Sequence, residues 1–550
     1  MSEVLQTIVR LSHGGHIRLQ VQGSGPVVVL CHESPRSSAA LLRLAGHLAQ
    51  NFTCVMMDTP GFGYSDPLPL AQPEIADFAL VVLELVDRLD LGPVPIYGAH
   101  TGAAIAVEAA VQSPDSVSAV ILDGYAIFNE TERDALLAHY LPPFLPTLDG
   151  THVAWLWSRV RDQFTVFPWN QLGDGSRLGY GPPKLDHHHA VVTDFLLAGD
   201  AYRAAYAAAF RYNHFEPLER VQRPVFIATR EDDMLFEHME RARGLSEHVS
   251  LTAMTSDRGE WASTMKRLVS ENAGYTLLDA RAIIDRASSL QGSKRLIETS
   301  AGPVAVRIDG DGSPVVLLHD MPGGSDELRG VAARLGRSHR AVRISLPGVD
   351  VYPAAPNTLD TVRDLAAIIA EVIGKLGVQD APVIAIGASV AIATELPGVS
   401  KLIVVDPWTQ ISAASSDMVP DISPRWDGAH LSAAFWWARD YDLFKPWHDR
   451  ENQKGRAIGN DLSAERLHNR FRSIVVAGDH GLKMARNLYR CDAAGNLEAS
   501  GGGIDIVVFD GDPDCDALAS WAIGCVGEDH VHRVSRQTVP LAQMLKGLLA

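Results

Sequence analysis

Two stretches of this chain, far apart, share one pattern of residues at one spacing. "LDGTHVAWLWSRVRDQFTVFPWN" (148–170) aligns without a gap on "WDGAHLSAAFWWARDYDLFKPWH" (426–448). His152, Arg161, Asp162, Pro168 and Trp169 therefore recur, at one constant offset, as His430, Arg439, Asp440, Pro446 and Trp447. Further on, "DFLLAGDAYRAAYAAAFRY" returns as "SIVVAGDHGLKMARNLYRC". A repeat this long is no solenoid period; it predicts one domain written twice. The length agrees, because 550 residues exceed what one ordinary core organises.

Each half alternates short Val/Ile/Leu runs with helical patterns. In the first half the runs are "PVVVLCH", "CVMMDTPG", "VPIYGAH", "SAVILDG" and "PVFIATRED". Continuous apolar strands of this kind suit a mostly parallel, doubly wound α/β sheet covered by helices on both faces. The Trp-, Phe-, Tyr- and Ala-rich interval from about 130 to 215 breaks the rhythm and reads as a helical lid inserted after the sixth strand. The domains are expected at 1–285 and 296–550, the second with its own lid at about 412–500, joined through the polar stretch "RASSLQGSKR" (286–295).

The partner classes are narrowed by charge. Acidic residues outnumber basic ones, 66 to 48, for a formal charge of −18, which disfavours nucleic acid and anionic membrane. No apolar run reaches membrane-spanning length and the start lacks a secretory pattern, so a cytoplasmic location is the expectation. Homo-oligomerisation is left open. Five cysteines without a CxxC read as reduced thiols. No G-x-G-x-x-G after a strand and no phosphate loop is present, so no cofactor is expected. The run His187, His188, His189 is not a metal site on helical geometry, since neighbouring side chains diverge by about 100°.

Four motifs carry the chemistry. "HESP" (32–35) follows the first apolar strand, "DTPGFGYSD" spans 58–66, "GAHTG" spans 98–102 at a strand-to-helix turn, and "TREDDML" contains Asp233. Together they resemble the α/β-hydrolase superfamily, with its oxyanion loop, its D-x-x-G-x-G-x-S loop, its G-x-S-x-G nucleophile elbow and its acid loop. The resemblance covers the whole first half and is weaker in the second, where "SLPGVDVYP" replaces the second motif. It implies two fused α/β-hydrolase-like domains. Departures from the family pattern then define the chemistry. His100 stands where the serine is expected, and Glu260 in "DRGEWAST" where the general-base histidine is expected. Glu33 and Asp320 stand where the family has a glycine after the oxyanion-loop histidine. A carboxylate there opposes a developing oxyanion, so acyl-enzyme chemistry is disfavoured.

The candidate site follows. His100 is the catalytic centre, with Glu33, Asp123, Asp233 and Glu260 as carboxylate partners, and Ser34 and Thr101 as backbone oxyanion donors. His32, His152, Trp155, Asp162, Trp169 and His188 are candidate substrate-binding residues. In the second half, Ser389 is read as the elbow residue between Gly387 and Ala391, with Asp320, Asp406 and Asp514 around it. A histidine oriented by a carboxylate shuttles protons near neutrality. The expected function is hydrolysis of a small, mostly apolar ester or lactone, or lyase or decarboxylase cleavage of a carbonyl compound. The alternatives are a catalytically inactive ligand-binding or scaffold protein, and a serine hydrolase acting through Ser389.

Overall fold

The computed structural model describes residues 2–179, 181–352, 359–408, 418–458, 462–499 and 503–550. It resolves into two compact units. One comprises Met1–Leu145 and Trp155–Gly292, the other Pro146–Ala154 and Ser293–Ala550.

The first unit is built on eight strands: β1 (Val4–Arg10), β2 (His16–Cys31), β3 (Thr53–Met57), β4 (Val94–Ala99), β5 (Val117–Asp123), β6 (Val225–Arg230), β7 (Val249–Met254) and β8 (Leu277–Asp279). The sheet order is β1-β2-β4-β5-β6-β7, with β3 and β8 both on β2. β2 does the work of two strands: its first part pairs antiparallel with β1, and Val27–Cys31 pairs parallel with β3. Every pairing from β4 to β7 is parallel. The strands read as apolar runs because both faces are covered: Val28, Leu30, Ile121 and Ala228 pack with Leu44, Leu48, Met265 and Leu268 of the helices. Between β5 and β6 lies a helical insertion, including Glu130–His139, Thr151–Gln163, Leu185–Ala198 and Tyr202–Arg211.

In the second unit the strands are β9 (Lys294–Thr299), β10 (Gly302–Asp309), β11 (Ser313–Leu318), β12 (His339–Ile344), β13 (Val383–Ile386), β14 (Leu402–Val405), a short hairpin of β15 (Phe444–Lys445) and β16 (Lys454–Gly455), then β17 (Ile504–Asp510) and β18 (Val531–Ser535). The main sheet runs β18-β17-β14-β13-β11-β12-β10-β9, parallel from β12 to β18, with β10 antiparallel to its neighbours. Its insertion carries the helices Ala429–Leu443 and Ala464–Arg490. The repeated "AGD" has a physical role: Gly199 and Gly478 both turn the chain with positive φ, +55° and +52°. The expected second lid begins at 412, and its first residues, to 417, lie outside the described residues.

Of the stretch 286–295 read as linker, 286–288 closes the helix Ala280–Ser288 and Lys294 opens β9. The sequence reading gave Pro146–Ala154 to the first domain, whereas it packs as part of the second unit. Within that unit His152 Nε2 meets His468 Nδ1 at 3.1 Å, and its ring lies edge-on to Phe435. Among the described residues no helix is long and apolar enough to cross a membrane, and no three His, Cys, Asp or Glu side chains converge as a metal site.

Candidate active site

The parallel sheet of the first unit delivers its chemistry at the ends of β4, β5 and β6. His100 joins β4 to the helix Thr101–Gln112 with φ +47° and ψ −105°. A non-glycine residue in that region costs about 1–3 kcal/mol, and tight neighbours enforce it. A Cβ on Gly98 would run into the Gly102 carbonyl, and one on Gly102 into those of Cys31 and His32. This crowding explains the small-residue spacing of "GAHTG". The His100 N–H is shared between the carbonyls of Asp123 (3.3 Å) and Gly124 (3.1 Å).

The His100 side chain, 30% exposed, sets Nε2 at 3.0 Å from Asp233 Oδ2. Asp233 is held in turn by the Leu235 N–H at 2.8 Å on its other oxygen. Burial works against the imidazolium, but Asp233, by charge and hydrogen bond, with Glu33 and Asp123 behind it, lifts His100 to about 9. The imidazole is therefore cationic at neutral pH. Burial would raise Asp233, and the His100 charge overrides it and holds the carboxylate ionised. Burial likewise opposes ionised Glu33, and Arg36, 3.5 Å away, together with His100 and His32, brings it below its ordinary value. Asp123 moves the other way, raised chiefly by burial; its Oδ2 accepts from Tyr97 (3.0 Å) and Trp261 Nε1 (2.7 Å), while Oδ1 is buried with no hydrogen bond. The result is a cationic His100 beside two ionised carboxylates and a third acid, with Arg36 near Glu33 and Arg230 3.9 Å from Asp123. The backbone N–H groups of Ser34 and Thr101 have no acceptor among the described residues.

Several expected residues lie elsewhere. Glu260 turns back on the start of its own helix: it accepts from Thr255 N (3.1 Å) and from the Thr255 hydroxyl, while its N–H donates to the N-cap residue Asp257 (2.8 Å). Its neighbour Trp261 reaches Asp123 instead. His32 has both ring nitrogens bound to backbone, at Glu33 O (2.8 Å) and Thr59 N (3.0 Å), so it staples two loops and has no nitrogen left for substrate. The "DTPGFGYSD" loop is a staple too. Asp58 accepts from Ser38 and Tyr64 and pairs with buried Arg18 at 3.4 Å, which accounts for the loop without catalysis. His188 is buried against the Trp157 ring with Nε2 on the Trp157 carbonyl at 3.1 Å. His152 belongs to the second unit. Trp155 and Trp169 do lie in the first unit's insertion, 6.2 Å apart and edge to face, and Trp169 Nε1 donates to Tyr140 O at 3.0 Å. Asp162 stays on the same insertion helix, half-buried.

The second unit corrects the reading of Ser389. The positive φ falls on Gly387, at +58°, and Ser389 is ordinary right-handed helix at φ −68°. Ser389 is fully buried, and its hydroxyl lies 2.9 Å from Ile386 O and 3.2 Å from Leu318 O. Asp320 fills the space above the turn: its Oδ1 accepts the N–H of Met321 and of Ala388, each at 2.8 Å, and its Oδ2 accepts from the Tyr441 hydroxyl. Burial lifts Asp320 to about 6. Asp406 and Asp514 are also spent. Lys445 bridges them at 2.7 and 3.0 Å, and Arg456 joins Asp406 (2.5 Å) to Asp512 (2.7 Å). A Cβ at Gly387 would collide with the Asp320 carboxylate. Gly387→Ala is therefore expected to destabilise the protein by about 2 kcal/mol or more in denaturant unfolding. A neutral result would contradict the strained turn.

Comparison with known proteins agrees with the fold. Residues 26–149 match the family described as the alpha/beta hydrolase fold. An uncharacterised protein of Mycobacterium tuberculosis is 34% identical over 113 residues, 20% of this chain and 33% of that protein. The 2-(acetamidomethylene)succinate hydrolase of Mesorhizobium japonicum is 35% identical over 127 residues, 22% and 45% of the two chains. Fluoroacetate dehalogenase of a Burkholderia species is 27% identical over 225 residues, 38% and 73%. The chain thus spans less than half the length of the first two relatives. The two sheets and these likenesses make this a protein of two alpha/beta-hydrolase-like units, and its relatives of named activity include a hydrolase and a dehalogenase.

Proposed function

We propose that the first unit hydrolyses a small, mostly apolar ester or lactone without a serine nucleophile, using His100 in the place where the superfamily keeps its serine. The observation that carries this reading is the His100–Asp233 pair at the strained turn, with Glu33 ionised close by. The carbonyl oxygen takes the N–H groups of Ser34 and Thr101 and the field of the imidazolium, which offsets the Glu33 charge that would otherwise oppose an oxyanion. Glu33 removes a proton from water as its oxygen bonds to the carbonyl carbon. His100 then passes its proton to the departing alkoxide, and Asp233 keeps the imidazole oriented and charged. Asp123 supports the same field. Cleavage of the elimination lyase type draws on the same groups, with Glu33 taking a proton beside the carbonyl, whereas a decarboxylation would use the cationic His100 to protonate the carbon from which CO2 departs.

The second unit is the non-catalytic copy of a duplicated domain. Its turn residue is glycine and its oxyanion donors are occupied, which supports a supporting role and argues against a serine hydrolase at Ser389. A fluorophosphonate probe tests both statements: with an ester or lactone panel, hydrolysis is expected to persist in saturating probe, with no serine labelled in either unit. Stoichiometric labelling of Ser389, or of any serine with loss of activity, would replace this reading.

A further inference from the structure

The insertion helix Thr151–Gln163 turns Leu156 and Val160 inward, and on the same face it buries Arg159, 1% exposed. One guanidinium nitrogen, Nη1, donates to Gln163 Oε1 at 2.5 Å. Nε and Nη2 are buried and donate to nothing among the described residues. Aromatic rings box the group: its carbon lies 4.8 Å from the centroid of Trp169, 5.4 Å from Tyr140 and 5.6 Å from Phe195. The ring faces return part of the desolvation cost of the charge, and they accept none of its N–H groups along the guanidinium plane.

The two orphan donors are not a random pair. Nε and Nη2 share one edge of the planar fork, where their N–H bonds run parallel, the arrangement that matches the two oxygens of a carboxylate. The box is also continuous with the catalytic loops. Tyr140 and Trp169 pack in one apolar cluster with Met234 and Leu235, the residues that follow Asp233, and with Phe128, beyond Asp123.

We propose that Arg159 is a carboxylate-recognition residue, so that the substrate of the His100 site is an organic acid whose carboxylate takes the Nε–Nη2 edge while its apolar body lies along Tyr140, Trp169 and Phe195. This rests on the catalytic reading for where the substrate reacts, and not for whether the anion binds. A carboxylate suits the site better than a phosphate, whose further charged oxygens would face aromatic carbon. The sequence offered one signal for Arg159: a charge on the apolar stripe of an otherwise amphipathic helix.

Calorimetric titration of the full chain tests the proposal, with butyrate and phenylacetate as probes and the matching neutral amides as controls. Wild type and His100→Ala are both expected to bind the acids, with each amide at least about 30-fold weaker. Arg159→Met is expected to lose about 30-fold or more for the acids and nothing for the amides. Arg159→Lys should fall between, because a point charge replaces a fork. Equal binding of acid and amide, no binding of either acid by wild type, or unchanged acid binding by Arg159→Met would overturn it. Should Arg159→Met fail to fold, acid–amide discrimination by wild type and the lysine variant still decide. Turnover that survives His100→Ala would sink the catalytic reading and leave these affinities as they are.

Discussion

His100→Ala is expected to lower turnover about 100-fold or more while leaving affinity for the substrate nearly unchanged, because the proton it gives is transferred only in the transition state. His100→Gln should fall as far, since an amide keeps a donor but neither the charge nor the transferable proton. The pH profile supplies the more searching measurement. A cationic His100 acts as an acid, so activity should be full at neutral pH and fall as pH rises through about 9, where the imidazolium titrates. Glu33→Gln removes the base and one of the charges that lift His100. Its residual activity should therefore be lower, and its basic limb displaced toward neutrality. A profile that instead rises with pH through 6 to 7 would mean that the neutral imidazole is the active form, and the assigned roles of acid and base would exchange. Substituting serine at 100 should not create an esterase, because Glu260, which the sequence pattern sets where a general base is expected, is committed to the start of its helix.

Acid sensitivity of the fold is the second large effect. His152, His188, His214, His319 and His468 are all buried, and burial lowers each of them, His152 to about 4 and His214 to about 3. The sign follows from linkage. Below about pH 6.5 the unfolded chain binds protons that these folded imidazoles refuse, so stability present at neutral pH is lost as pH falls from about 6.5 toward 4. Each neutral histidine contributes a slope of about 1.4 kcal/mol per pH unit in that window. Against a total stability of about 5–15 kcal/mol, several such slopes should unfold the chain well above the pH at which its carboxylates titrate. Thermal melts at constant ionic strength between pH 7 and 4.5 should show a steep loss, and His214→Phe should reduce its slope. A melting temperature flat across that range would show that protonation is absorbed without unfolding.

The sheet pattern and the turn at His100 were legible in the sequence for a shared reason: both are imposed by backbone sterics, which leave a signature in small and apolar residues. Gly98 and Gly102 announce close approach whatever stands between them. The same spacing misled at Ser389. There the glycine two residues earlier is itself the strained residue, and only the position of Asp320 reveals it. Glu260 was misread because its place in the family pattern says nothing of whether a side chain turns inward or back onto its own helix. Pairings across long separations, such as Trp261 with Asp123 or His152 with His468, have no local signature at all. Arg159 has one, but a single arginine in an aromatic-rich helix reads as a solvated side chain until its burial is known.

Asp320 has a consequence for how such a domain can change over evolutionary time. Its carboxylate is tethered to the two N–H groups that face the turn and pays no translational entropy to stay there, as a free anion would. A serine placed at Gly387 would meet that carboxylate before anything else. A ligand could reach those N–H groups only after the loss of Asp320, a step that strands two buried donors and gains nothing by itself. Any route that would equip this turn for chemistry therefore passes first through a less stable protein, so the buried carboxylate holds the turn in its present form against single substitutions.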